Sequence, residues 1–284
     1  NDGALFFPLS SCHYRDFRPQ MEGLARLVDI DLEYGIGSWG EECAWLGVNK
    51  KSMVKTRSKF TQIYRNGGYF ILKESDTITF LRCGSYQHRP FQADNLHLDL
   101  WVNGENIMRD AGSFSYNTTP NESRYFMGTA SHNTIRLGAH DQMKKERRFV
   151  WSHWIQESAG SWTEDSETFV FEGYYEGFKE LGKGIRHHRK VTKHRSELRW
   201  IIEDRVENFP KGQKMEQIWH PSDYFLQEYR FSSTNIDGNK LEAEKREGFY
   251  SEFYGYQEKS PEIVFSSNKP YIRTVICLKN DNLF

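Results

Sequence analysis

Leu96-His97-Leu98-Asp99-Leu100-Trp101-Val102, closed by Asn103-Gly104, is the stretch that decides the fold class. Leu96, Leu98, Leu100 and Val102 fall on one side of an extended chain, and His97, Asp99 and Trp101 fall on the other. Asn-Gly supplies two residues that tolerate φ > 0, as a two-residue hairpin turn demands. Working outward, the same signals recur. Asn66-Gly67 and Asp237-Gly238 are further turn dipeptides, Ile78 and Phe80 alternate with Thr77 and Thr79, and Leu198, Trp200 and Ile202 mark a strand ahead of Glu203-Asp204. Residues 55–284 therefore read as mainly β: a large antiparallel β-sandwich of many short strands. Helix is expected only upstream.

Residues 1–54 follow a different period. Met21, Leu24, Ala25 and Val28 form the i, i+3, i+4, i+7 stripe of an amphipathic helix within 18–33, with Asp16 as cap and Pro19 in the first turn. A second short helix is expected over 39–46.

Bulk properties exclude several functions. The chain has 284 residues with a formal net charge of −1, so no global field draws nucleic acid or an acidic membrane surface. No run of about 18 apolar residues is present to span a bilayer. The four cysteines, Cys12, Cys43, Cys83 and Cys277, lack metal-type or redox-type spacing and read as free thiols.

A second strand, His132–Leu137, places Asn133, Ile135 and Leu137 on one face and His132, Thr134 and Arg136 on the other. Each of the two strands thus presents a histidine on its polar face. Gln92 and Asp94 fall on the leucine side by strict alternation, so a bulge or loop before Leu96 is needed to bring them to a site.

Several stretches resemble the heparinase II/III family of polysaccharide lyases. They are Asn1-Asp2-Gly3-Ala4, Tyr14-Arg15-Asp16-Phe17-Arg18-Pro19, Gln92 to Trp101, Asn103-Gly104, Arg109-Asp110-Ala111-Gly112-Ser113-Phe114-Ser115-Tyr116, Ser131-His132-Asn133-Thr134-Ile135 and Asp141-Gln142. The likeness is strongest over 85–150. It implies an (α/α) toroid followed by a β super-sandwich, with residues 1–54 as the tail of the toroid and linker. It also implies β-elimination on uronic-acid-containing glycans, including glycosaminoglycans. A base removes the C5 proton, an acid protonates the leaving O4 and a third group neutralises the carboxylate. In the family a Tyr and its neutralising partner come from the toroid and a His from the sandwich. This chain would then be the β part of a carbohydrate-active protein whose N-terminal toroid lies elsewhere, and it would not act alone.

The resemblance assigns roles with departures. The family's His-x-His-x-Asp reads Pro90, Gln92 and Asp94 here, so His88 and His97 become the substitutes, joined by His132 and Tyr116 as catalytic candidates. Some members hold zinc through His, Asp and His, and the matching positions are Gln92, Asp110 and His132. An amide is a poor zinc ligand, so at most weak zinc is expected and no other cofactor. Arg89, Asn133, Arg136, His187 and Arg189 are the candidates for binding an anionic polysaccharide. The last two belong to a basic run, Lys183–Arg195, which reads equally as a solvated strand pair or an anion subsite. The rival readings are a non-catalytic carbohydrate-binding or glycan-assembly protein, and a purely structural sandwich. The compartment stays open, since the family favours periplasm or extracellular space and the scattered cysteines lean toward a reducing one.

Overall fold

The computed structural model describes residues 9–13, 16–48, 54–55, 60–147 and 149–280. The Asn1–Ala4 and Tyr14-Arg15 matches and Arg148 lie outside the described residues. The chain divides into two units, Asn1–Lys59 and Phe60–Phe284.

In the first unit an α-helix spans Arg18–Leu27, with Pro19 in its first turn. Asp16 accepts the Arg18 N–H (3.1 Å) and pairs with its guanidinium (2.6 Å), while Phe17 occupies the cap position. The helix ends short of 33, and Asp29 is left-handed (φ 61°). Of the apolar stripe, Ala25 is buried, whereas Met21, Leu24 and Val28 stand exposed. A 3₁₀ turn, Ser38–Gly40, leads into a second helix, Glu41–Trp45.

The second unit holds three larger antiparallel sheets and a two-stranded antiparallel hairpin, Lys144–Arg147 with Val150–Ser152. Five strands run as a meander: Thr61–Tyr64, Tyr69–Lys73, Thr77–Arg82, His97–Val102 and Glu105–Met108. Six strands form a second sheet in the spatial order Ser158–Glu164, Thr168–Glu176, Arg186–His194, Trp200–Glu207, Tyr271–Leu278 and Tyr229–Asn235. Four more form a third: Glu244–Tyr250, Glu258–Ser267, Met215–Trp219 and Ile135–Leu137. One continuous core draws on all three, including Leu98, Phe171, Trp200 and Trp219. Trp200 Nε1–H donates to Thr79 Oγ1 (2.9 Å), tying the six-stranded sheet to the meander.

Asn103 (φ 52°) and Gly104 (φ 83°) make the expected two-residue turn, with Val102 opposite Glu105. The Asn66-Gly67 hairpin instead uses a longer loop in which Gly68 is left-handed (φ 68°). In the third hairpin only Gly238 takes positive φ (79°).

Helix is not confined to the first unit. Pro120–Met127 and Asp223–Glu228 are helical within the β region. The first carries a reciprocal capping box between Thr119 and Glu122 behind Pro120, a local signal strong enough to interrupt strand. No helix among the described residues is long and apolar enough to cross a membrane. Cys12, Cys43, Cys83 and Cys277 are free.

Candidate functional site

The strand His97–Val102 begins abruptly. Leu96 is left-handed (φ 57°), and this kink sets which side chain reaches inward next. His97 then projects toward Asp110, and its Nε2 lies 3.9 Å from Asp110 Oδ2 and 3.8 Å from Asp99 Oδ2. His132 meets the same carboxylate, with Nδ1 2.7 Å from Asp110 Oδ2. The two imidazoles stand edge to face, with centroids 5.6 Å apart. Asp110 is held from behind by the Gly112 N–H, 2.7 Å from Oδ1. Gly112 is left-handed (φ 88°), and a Cβ there would fall 2.1 Å from the Ser251 carbonyl, so only glycine serves.

Depth divides the cluster. His132 is fully buried and His97 nearly so, while the Asp110 side chain is 36% exposed. Burial opposes charge on both partners, yet their mutual attraction prevails. Asp110 is held below the usual carboxylate range and His132 is raised above the usual imidazole value. His220, absent from the candidates drawn from sequence, also belongs here. Its Nε2–H donates to the Ala130 carbonyl (2.8 Å), and burial lowers it to about 4. Only its place beside Pro221 marks it in the sequence, and that is no signal of a site.

Gln92 does not join this cluster. Its amide donates to the Phe126 carbonyl (3.2 Å), and His97 stands where a second imidazole was sought. Two imidazoles and a carboxylate are zinc-type donors, and their atoms lie within 4.8 Å of one another. The hydrogen positions oppose a three-ligand site. The Asn133 N–H donates to His97 Nδ1 (3.0 Å), so the neutral ring carries its proton on Nε2, the nitrogen nearest Asp110. His132 Nδ1 likewise carries the hydrogen given to Asp110. Both nitrogens that face the carboxylate are donors in this arrangement, so a metal held there would have to displace both protons.

The polysaccharide-binding candidates separate in the same way. Asn133 is fully buried. Its amide donates to the Leu98 and Arg109 carbonyls (2.9 Å each) and its Oδ1 accepts from the His220 N–H (2.6 Å). Arg189 and His187 are buried too, because the strand Arg186–His194 turns alternate residues inward. Arg189 grips Asp204 through two 2.7 Å bonds and donates to the Leu96 and Asn133 carbonyls (2.5 and 2.6 Å). His187 Nε2–H donates to the same carboxylate (2.7 Å), and burial lowers its pKa. These three residues are therefore interior ties with no free face for a glycan. Lys193, on the same strand, is buried against Glu74 (2.8 Å). Arg136 is half-buried and paired with Glu216 (2.8 Å).

His88, Arg89 and Tyr116 are exposed. His88 and Arg89 sit on the loop that runs into the strand of His97. Tyr116 sits on the loop that carries Asp110. A separate groove of about 700 Å³ lies on the outward face of the six-stranded sheet, beside Tyr174, His188, Lys190 and Arg205, and is lined by none of His88, His97, Asp110 or His132.

Residues 58–268 match the family described as "Heparinase II/III-like, C-terminal". No curated protein matches the chain significantly. Among solved structures, the "Heparinase III-BT4657 gene product" superposes with a TM-score of 0.66 at 16% identity, over 92% of this chain and 42% of that one. A "heparan sulfate lyase HepC from Pedobacter heparinus" gives 0.67 at 14% identity, over 92% of this chain and 41% of that one. This chain thus spans about two fifths of the length of the structures it resembles.

Proposed function

Because this chain belongs to the heparinase II/III-like family, we propose that it is the β-rich C-terminal part of a polysaccharide lyase that cleaves uronic-acid-containing, anionic glycans by β-elimination. The observation that carries this reading is the division by depth: His97, Asp110 and His132 form an interior scaffold, and His88, Arg89 and Tyr116 stand exposed on the loops that run into it.

Elimination needs a base for the C5 proton, whose bonding electrons become the C4–C5 double bond as the C4–O4 bond breaks, and an acid for O4. On the loops that run into the scaffold, His88 is an exposed imidazole placed to meet a sugar, and it handles one of these protons. Arg89 neutralises the uronate carboxylate as the C5 carbanion develops. Asp110, fixed by His132 and Gly112, holds the Tyr116 loop in place. The remaining groups come from a helical toroid. The exposed stripe Met21, Leu24 and Val28 and the share of its relatives that the chain spans both support that partner domain.

The test is product formation by a protein that includes this chain and the toroid. His88→Ala should abolish turnover with an unchanged melting temperature. Full activity in that variant would overturn the assignment. A second reading, a non-catalytic carbohydrate-binding or glycan-assembly protein, is favoured by the burial of both clustered histidines, and absence of product from every uronate glycan would select it.

A further inference from the structure

Three loops and a hairpin bring aromatic rings together at the surface. Tyr116 packs edge-on against Phe91 (5.9 Å between centroids) and Phe149 (5.7 Å), and lies 5.2 Å from Tyr254. Phe91 and Phe149 stack on each other at 6.1 Å. Tyr116 and Tyr254 are 41% and 39% exposed, while Phe91 and Phe149 are anchored against the core. The strip is pre-formed. Tyr254 OH accepts the Tyr116 N–H (3.3 Å), and the Phe91 carbonyl accepts from Trp151 Nε1 (3.2 Å). The exposed Arg89 guanidinium lies 5.5 Å above the Phe149 ring, and no carboxylate among the described residues pairs with it.

We propose that Phe91, Tyr116, Phe149 and Tyr254, with Arg89 at one end, form a stacking platform for consecutive sugar rings of an acidic polysaccharide. The proposal rests on the reading of this chain as part of a glycan-acting protein. An exposed aromatic strip of this kind marks a contact surface. Its chemistry favours a glycan over a protein partner. The exposed rings of Tyr116 and Tyr254, backed by Phe91 and Phe149, take the apolar faces of pyranoses, their hydroxyls bond to sugar hydroxyls, and the exposed Arg89 guanidinium grips a carboxylate or sulfate bidentately. The loop of Tyr116 also carries Asp110, so a chain lying on the strip runs beside the proposed reaction site.

The experiment is calorimetric titration of this chain with a hexasaccharide of alternating uronic acid and hexosamine. Tyr116→Ala and Arg89→Gln are compared with a control in the outer groove, Arg205→Gln. Each platform variant should bind about ten-fold more weakly at an unchanged melting temperature, with the control equal to wild type. Arg89→Gln should also lose part of the salt dependence. If Tyr116→Ala fails to fold, Arg89→Gln alone decides. Binding that both variants leave intact would overturn the platform while the glycan reading stands. Binding lost only in the control would move the glycan to the outer groove. Intact glycan binding with lost association to a helical toroid would make the strip a protein interface. No binding by wild type would also overturn the platform, whereas the lyase reading is judged separately by product formation.

Discussion

His132 Nδ1 lies 2.7 Å from Asp110 Oδ2, joining a fully buried imidazole to a carboxylate that reaches solvent. The carboxylate also receives the Gly112 N–H, so one aspartate fixes both His132 and the start of the Tyr116 loop. Asp110→Asn keeps the shape but removes the charge. We expect a loss of roughly 1–2 kcal/mol, the scale for a charge-assisted hydrogen bond whose carboxylate is partly screened by solvent, read from urea denaturation. A loss below about 0.5 kcal/mol would mean that the pair does not hold the loop.

Arg189 should behave as an interior tie and not as a glycan ligand. Arg189→Lys cannot reproduce the fork on Asp204 together with two carbonyl bonds. The expected cost is about 3 kcal/mol, or on the order of 10 °C in melting temperature. Affinity for an acidic hexasaccharide, measured below the transition, should be unchanged. A folded variant with weakened binding would restore the subsite reading of this strand.

Glu262 is nearly buried, and that burial raises its carboxyl to about 7 despite Arg136 and Arg246 nearby. A raised acid stabilises the fold below the unfolded value of about 4.3, and that contribution is lost as pH rises through the folded value. Stability should therefore fall by roughly 3 kcal/mol between pH 4.5 and 8 on account of this group. Glu262→Gln should flatten the fall, so that the variant is more stable than wild type at pH 8. Parallel curves for the two proteins across this range would refute it.

Zinc should be bound weakly at most. The hydrogens on His97 Nε2 and His132 Nδ1 face Asp110, so a cation there must displace both. Protein purified without metal-affinity resin should contain well under one zinc per chain, and chelation should leave its melting temperature in place. One tightly held zinc per chain would contradict the hydrogen-bonded arrangement.

Much of the β architecture was legible because alternation and Asn103-Gly104 act locally. The parity of His97 on its strand was readable for the same reason, whereas His132, Asn133 and Thr134 precede the strand Ile135–Leu137 and are all buried, so alternation did not place His132. What escaped was decided by distant contacts. Arg189, Asp204 and Lys193 look like surface charges until the three sheets close over them, and an inward charge shows only once its partner is known. His97 in place of Gln92 depended on the left-handed Leu96, which leucine's own preferences do not announce. The helix behind Thr119-Pro120 was a different case, since its capping signature was present in the sequence and was outweighed by the surrounding strand pattern.

The central claim is that this chain supplies one wall of a divided lyase site. The direct measurement is the ultraviolet absorbance of the C4–C5 double bond when the 284-residue chain, alone and as part of a protein that includes the toroid, is incubated with a panel of uronate-containing glycans. Positioning supplies much of the rate, so a single wall is not enough. The account predicts binding without product for the chain alone and product for the longer protein. Turnover by the chain alone would contradict it.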